Sequence, residues 1–566
     1  MRRAAAPGYA LALALLVVGP LLGRGYLLLR DAVSTPRSYL SDSALGLMAA
    51  PRATPQDFAV ALASHLVDGG IVVKVLLVTG LWLAGWGAAR LVATLLPESG
   101  AGGQFVAITL AIWNPYVAER LLQGHWSLLL GYGCLPWLAT RMLALRGGDT
   151  EAGPTWQQLC TLAFWFALAG LTPTGLLLAA TVGLVCVAAP GRGIPRGRCA
   201  AVVGGTAVVA ALPWLTASAL GPPLRNPDGA LGVAAFAARA EPGLSTLGSL
   251  VSLGGIWNGA AVPASRATLF AVLSAVVLLG VVAIGLPTLV RRPPAVPLLV
   301  LAAVSVLLSA ALASGAGVGG LSAAVEAWPG VAVLRDGQKW VALAMPAYAL
   351  AGAGAVLTLQ RWLQPAVSAP ACCVAVLLAL PDLAWGVCGQ VQPVHYPPGW
   401  AATSAAINNQ PGTVAVLPAG MMRRFPWSGP NPVLDPLPRW VRADVLTTGD
   451  LTVSGRILPG EGANARAVQQ LLLAGSEPAV LARAGVTWLV VELDTAGDRG
   501  AAAQTLAALP LAYRDDNLAL YRVGGHTAGV SPGRRLATLL AHAAWLALLA
   551  APTLRLGYWL RSRRRR

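Results

Sequence analysis

Asn114-Pro115-Tyr116-Val117-Ala118-Glu119-Arg120-Leu121-Leu122-Gln123-Gly124-His125-Trp126 sets an acid, a base and a histidine between two long apolar runs. Ionisable groups at membrane depth cost roughly 2.5–3.5 kcal/mol each on insertion scales, so they are rare and usually have a job. The reading of the whole chain turns on which way this stretch faces, and on what else faces the same way.

Composition sets the class. Of 566 residues, 56% are hydrophobic and only 11% charged, with a mean hydropathy of +0.65. A soluble domain carries about 25% charged residues. Repeated apolar runs of about 20 residues therefore make this an α-helical polytopic membrane protein. The formal net charge of +17 does not call for nucleic acid as a partner, because Arg clusters at cytoplasmic loop ends account for it. Most of the seven cysteines fall in apolar runs and none has metal-ligand spacing, so they read as small core residues. Met1-Arg2-Arg3 and the apolar run behind it resemble a signal peptide. The run to Leu29 is too long for one and reads as a retained first helix.

A window of about 20 residues gives about twelve spans. They run near 8–29, 71–96, 103–121, 126–145, 156–171, 174–190, 199–219, 268–290, 294–315, 339–360, 369–387 and 535–556. The fifth and sixth are short and share Leu171-Thr172-Pro173-Thr174-Gly175, so a hairpin that does not fully cross stays open. With the N-terminus in the cytoplasm, every dense Arg cluster falls on that side: Arg2 and Arg3, Arg141 and Arg146, Arg192 to Arg198, Arg291 and Arg292, and the run at the C-terminus. The expected location is the plasma membrane, with both termini cytoplasmic.

The opposite face then receives loops 30–70, 220–267 and 316–338, the Asn114–Trp126 corner, and a long segment before the final span. Residues 1–390 are expected to form the transmembrane bundle and 391–532 a small extracytoplasmic α/β domain. Residues 533–566 would be a last span with a basic tail. Within the domain, strands are expected at 413–417 and 518–523, a turn into a buried strand at 485–491, and helices at 464–473 and 478–484.

Four polar places adjoin span ends on that outer face. Arg30-Asp31 follows the first span, with Asp42 further along. A carboxylate there can act as a general base or hold a metal; the plain alternative is a solvated loop acid. In the opening stretch, His125 lines a site or anchors beside Trp126 at the interface. Glu119 and Arg120 either join it or simply pair as neighbours. Leu334-Arg335-Asp336-Gly337-Gln338-Lys339-Trp340 places two cations against the positive-inside trend, suited to a phosphate by fork or point-charge contact, or else snorkelling. Loop 220–267, with Arg225, Asp228, Arg239, Glu241, Trp257 and Arg266, is weak alone. Together these groups point to a site at the outer membrane boundary. Its substrate lives in the lipid and carries an anion, and an acceptor hydroxyl meets a carboxylate. A transporter would place ionisable groups near the midplane, where the spans are almost free of charge.

Arg30-Asp31-Ala32-Val33, Asn114-Pro115-Tyr116-Val117 through Gly124-His125-Trp126, Leu171 to Gly175 and Leu334 to Trp340 resemble the actinobacterial membrane proteins of the GT-C superfamily. The abundant Ala, Gly, Arg and Pro agree with a high-GC genome of that kind. Those glycosyltransferases take a sugar from a polyprenyl phosphate on the extracytoplasmic side. The resemblance implies Asp31 as catalytic base and Arg335 and Lys339 as phosphate contacts. His125, Glu119, Arg120, Asp336 and Asp42 would line the substrate site. It implies a polyprenyl-phosphate sugar donor, an envelope glycan or glycolipid acceptor, and a divalent cation (Mg or Mn) as possible cofactor. Many members pair two acids in the first outer loop, whereas here Asp31 and Asp42 stand well apart. An envelope-lipid flippase and a non-catalytic scaffold of envelope synthesis are the alternative readings.

Overall fold

A computed structural model describes residues 2–48, 52–148, 155–222, 229–453 and 455–563. Arg225 and Asp228 lie outside these residues. Among the described residues eight helices are long and apolar enough to cross a membrane. They are Ala4–Leu22, Gly69–Leu95, Trp126–Gly147, Arg196–Leu220, Phe270–Val290, Pro293–Leu312, Gly337–Leu359 and Pro532–Pro552. Pro365–Ala379 and Pro381–Gly389, bent by 75° at their junction, make a ninth if counted as one span.

The expected count of twelve is not reached, and the shortfall has a local cause. The run at 103–121 is broken by Asn114-Pro115 into helices Gly100–Ile112 (13 residues) and Pro115–Gln123 (9 residues). Asn114 has extended backbone, and its side chain accepts a hydrogen bond from Val117 N at 3.1 Å. It is thus an N-cap, and Pro115 occupies the first helical position, where its missing N–H costs nothing. The fifth and sixth runs form helices of 14 residues, Trp156–Ala169 and Pro173–Cys186. At 1.5 Å per residue such a helix covers about 21 Å, short of a hydrocarbon core of about 30 Å.

Inside the bundle the long helix Gly69–Leu95 packs on Trp126–Gly147 through small residues. A Cβ on Gly80 would lie 2.8 Å from Leu130 Cα, and one on Gly133 would overlap Gly80 O. Close backbone approach of this kind holds helices together where lipid removes the hydrophobic drive.

The C-terminal segment carries a four-stranded sheet in the order Leu511–Arg514, Leu518–Arg522, Trp488–Glu492, Val414–Leu417. Val414–Leu417 runs parallel to Trp488–Glu492 and the other pairs are antiparallel. The two strands Val414–Leu417 and Trp488–Glu492 are buried throughout, which is why they read from sequence as unbroken apolar runs. Helices Ala463–Leu473 and Pro478–Arg483 also fall where expected. The strand Leu511–Arg514 is a mostly exposed edge without an apolar signature.

A second, smaller sheet positions the site. Tyr26–Leu29 pairs with Ala32–Val33 as a tight hairpin and with Pro393–Val394 on its other side. Residues 30 and 31 are the turn of that hairpin. The first loop is thereby stitched to the C-terminal segment, and Leu434 N donates to Arg30 O at 2.9 Å.

Candidate functional site

The hairpin turn puts Arg30 at φ 49°, a left-handed conformation that costs a non-glycine residue about 1–3 kcal/mol. Three acceptors hold its guanidinium there: Leu122 O, Ala260 O and Asn431 Oδ1. Arg30 is therefore the pin, and its neighbour Asp31 is what the pin presents. The Asp31 amide donates to Gln123 O at 3.2 Å, joining the turn to the end of helix Pro115–Gln123.

That helix ends at Gly124, left-handed at φ 87°, with its N–H returned to the last turn. A Cβ on Gly124 would overlap Ala32 N and Leu29 O. Only glycine lets the hairpin close this near. Gly124→Ala is expected to lower stability by at least the about 1–2 kcal/mol of a left-handed alanine. It should also reduce any activity of the site, because the hairpin carrying Asp31 must shift. Thermal unfolding in detergent and an assay on the same sample check both.

From Asp31 a chain of side-chain contacts runs inward. The Asp31 side chain is 36% exposed and His125 18%, so both face open space. Asp31 Oδ2 accepts from Gln123 Nε2 and from His125 Nε2, each at 3.0 Å. His125 Nδ1 lies 3.1 Å from Arg120 Nη1. Arg120 is fully buried and grips Asp336 with both fork nitrogens, at 2.8 and 2.9 Å. Lys339 Nζ stands 3.6 Å from Asp336 Oδ2. Gln338 receives an Arg120 hydrogen bond on Oε1 and donates through Nε2 to Glu119 Oε2 at 2.9 Å. Glu119 also accepts from the amides of Gly255 and Ile256.

Glu119 and Arg120 do not pair with each other. Adjacent positions on a helix point about 100° apart, so neighbours in sequence do not face one another. Each finds its partner elsewhere, and both are buried in the helix corner rather than solvated.

The electrostatics follow from this geometry. Partial burial raises the Asp31 carboxyl, but the hydrogen bonds from His125 and Gln123, with the charge of Lys339, outweigh it and hold it below the usual value. Burial lowers His125, and Lys339 and Arg120 add to that against the pull of Asp31. Burial likewise works against the Asp336 carboxylate, yet Arg120 and Lys339 keep it far below the carboxylate range.

Two cavities share this wall. One of about 540 Å³ lies between the first loop and the C-terminal segment, reaching Arg52, Arg439, Asp435 and the turn Pro459–Glu461. The other, about 1190 Å³, is lined by Leu177, Trp214, Trp257 and Val333. Asp31, His125, Arg335 and Lys339 line both. Arg335 stacks over Phe236, 4.3 Å from the ring centre, a contact that orients a guanidinium without using its N–H groups. Asp336 lines the larger cavity only, and Glu119 and Arg120 stand behind the wall. Asp42 lines neither: it is taken by Arg535 of the last helix, Oδ1 at 2.7 Å from Nε.

Residues that the sequence did not single out complete the arrangement. Gln338 and Gln123 carry no charge, and Asn431, Phe236, Arg52, Arg439 and Glu461 come from distant segments. Gln123 lay inside the quoted stretch, two residues before His125, and that spacing was its only signal. The implied divalent cation meets an unsuitable donor set. Among the described residues no group of three His, Cys, Asp or Glu is placed to hold one. Asp31 is already surrounded by N–H donors and cations.

No protein-family profile and no curated protein sequence matches the chain. Solved structures do. The cryo-EM structure of arabinofuranosyltransferase AftD from Mycobacteria aligns over 94% of this chain with a TM-score of 0.58 and 17% identity. Its mutant R1389S aligns over 93% at 0.58 and 17% in one class, and over 92% at 0.54 and 15% in another. The chain spans about two fifths of the length of those proteins, 40% to 42%. At this identity the likeness is one of fold alone.

Proposed function

We propose that this protein transfers a sugar from a polyprenyl-phosphate donor to an envelope glycan or glycolipid acceptor at the extracytoplasmic membrane boundary. The observation that carries the reading is the shared wall. One carboxylate, Asp31, and two cations, Arg335 and Lys339, face the same two cavities. A scaffold needs no such convergence. The larger cavity, with apolar walls of Leu177, Trp214, Trp257 and Val333, suits the polyprenyl chain and its phosphate. The smaller one, roofed by the C-terminal segment, suits the acceptor.

The reaction is a displacement at the anomeric carbon. Asp31 takes the proton of the acceptor hydroxyl as its oxygen bonds to that carbon. The carbon–oxygen bond to phosphate breaks, and the electron pair leaves on the polyprenyl phosphate. Arg335 and Lys339 meet the charge that develops there. Protonated Asp31 returns its proton to water. The residues do not fit a protein-held divalent cation, so no step is routed through one.

The test is a transfer assay with purified protein in lipid and labelled polyprenyl-phosphate sugars. An arabinofuranosyl donor is the first choice, since that sugar is named for the structural neighbour. Lys339→Ala is expected to lower kcat/KM for the donor by about 10–100-fold, the value of about 1.5–3 kcal/mol of charge-assisted hydrogen bonding. Wild-type kcat/KM in that variant, or a deletion strain with an unaltered lipid-linked glycan profile, would count against the proposal.

A further inference from the structure

Arg120 sits one step behind the reactive wall, touching neither cavity, yet it decides what His125 can do. A guanidinium only donates hydrogen bonds. Its Nη1 lies 3.1 Å from His125 Nδ1, so Nδ1 has to accept. The ring proton is therefore on Nε2, aimed at Asp31 Oδ2 at 3.0 Å. A second proton on the ring would set N–H against N–H. Arg120 has no freedom to turn away. Asp336 takes both fork nitrogens, and Gln338 takes one of them again while its own amide is committed to Glu119. The charged groups that face His125 are Asp31 from the hairpin, Arg120 from helix Pro115–Gln123, and Asp336 and Lys339 from the segment before Trp340.

We infer that Arg120 is a positioning residue that fixes His125 as the neutral Nε2–H tautomer, so that His125 orients Asp31 and does not itself exchange the proton. Asp31 Oδ2 is occupied by His125 and Gln123, which leaves Oδ1 as the oxygen open to an acceptor hydroxyl. The inference deepens the proposed transfer reaction and rests on it only for its kinetic arm.

The first experiment needs no activity. In protein labelled with ¹⁵N-histidine, the His125 ring signals are identified by their loss in His125→Gln. The expected result is an unprotonated Nδ1 and a protonated Nε2, unchanged from neutral pH down to about pH 6, where a free imidazole is already largely protonated. An Nδ1–H tautomer, or an imidazolium at neutral pH, would overturn the inference. The paired variant Arg120→Met with Asp336→Ala removes the donor and its counter-charge together. There the ring is expected to lose its single tautomer and to protonate at higher pH; an unchanged tautomer would equally overturn it.

The kinetic arm asks whether His125 moves a proton. His125→Gln keeps an N–H for Asp31 but cannot titrate. It is expected to retain transfer within about tenfold of wild type with the same acid limb in its pH profile, whereas His125→Ala loses more, in kcat rather than KM. Equal loss in the two variants would assign His125 a proton-transfer role and refute positioning. If no sugar is transferred by any form, the proposed reaction fails, and the ring tautomer still decides the role of Arg120.

Discussion

Asp31→Asn is expected to lower glycosyl transfer by about 10²–10⁴-fold, the usual contribution of a positioned general base, while the protein remains folded. The amide matches the carboxylate in shape, and its oxygen can keep both hydrogen bonds, from Gln123 Nε2 and His125 Nε2. What it lacks is a lone pair basic enough to take the acceptor's proton. The pH dependence has a definite sign. Burial opposes the Asp31 charge, but His125, Gln123 and Lys339 hold the carboxyl below its usual value. The ionised form therefore persists to lower pH than for a free carboxylate. Wild-type transfer should stay level through the neutral range and fall only as pH drops through this depressed value. The stabilisation Asp31 gives the fold has the same sign, being present above the unfolded-state pKa and lost on acidification. Asp31→Glu, which keeps the charge but moves it by a methylene, should recover part of the rate. Transfer by Asp31→Asn at the wild-type rate would remove Asp31 from the reaction.

Much of this arrangement could be read from the sequence because it is made of charges in apolar surroundings. Asp31, the Glu119-Arg120 pair, His125 and the Arg335–Lys339 segment all stand out against a chain with 11% charged residues. The buried strands of the C-terminal sheet stand out for the opposite reason, as unbroken apolar runs. Three things were hidden. Twelve spans are not confirmed among the described residues, because a hydropathy window averages over Asn114-Pro115, although that pair is an N-cap and a first helical position in plain sight. The hairpin at Arg30-Asp31 was hidden because its first strand, Tyr26–Leu29, lies inside the apolar run read as the first span, and the strand that completes its sheet, Pro393–Val394, lies more than 350 residues away. The uncharged members of the contact chain, Gln123 and Gln338, carry no compositional signal. Their importance arises because charged neighbours leave them a single orientation. Asp42 shows the converse. It is an acid in the right loop, but the last helix supplies Arg535 to occupy it.

The contact chain also makes a strong prediction about stability. Arg120 has no exposed surface, and the Asp336 side chain is 6% exposed. Two charges withdrawn this far from water attract strongly, but each has given up its hydration, so the pair adds little net stability over an apolar replacement. Breaking it is another matter. Asp336→Ala leaves the Arg120 guanidinium buried without its carboxylate, against neutral acceptors such as His125 Nδ1 and Gln338 Oε1, and Arg120 Nε already has no partner. The expected cost is about 3–5 kcal/mol, enough to unfold a marginal protein and the largest effect predicted for any single side chain here. Adding Arg120→Met to Asp336→Ala removes the orphaned charge and fills its volume with an apolar chain, so the double variant should regain most of that loss. A thermal or denaturant unfolding series on wild type, both single variants and the double variant in one detergent gives the coupling directly. A loss below about 1 kcal/mol in Asp336→Ala, as for an exposed ion pair, would show that water reaches the pair. A double variant no more stable than Asp336→Ala would show that Asp336 supports the fold through its backbone turn and not through Arg120. The expected rescue would instead establish that the ion pair holds Arg120 in place behind His125 while giving the bundle little stability of its own.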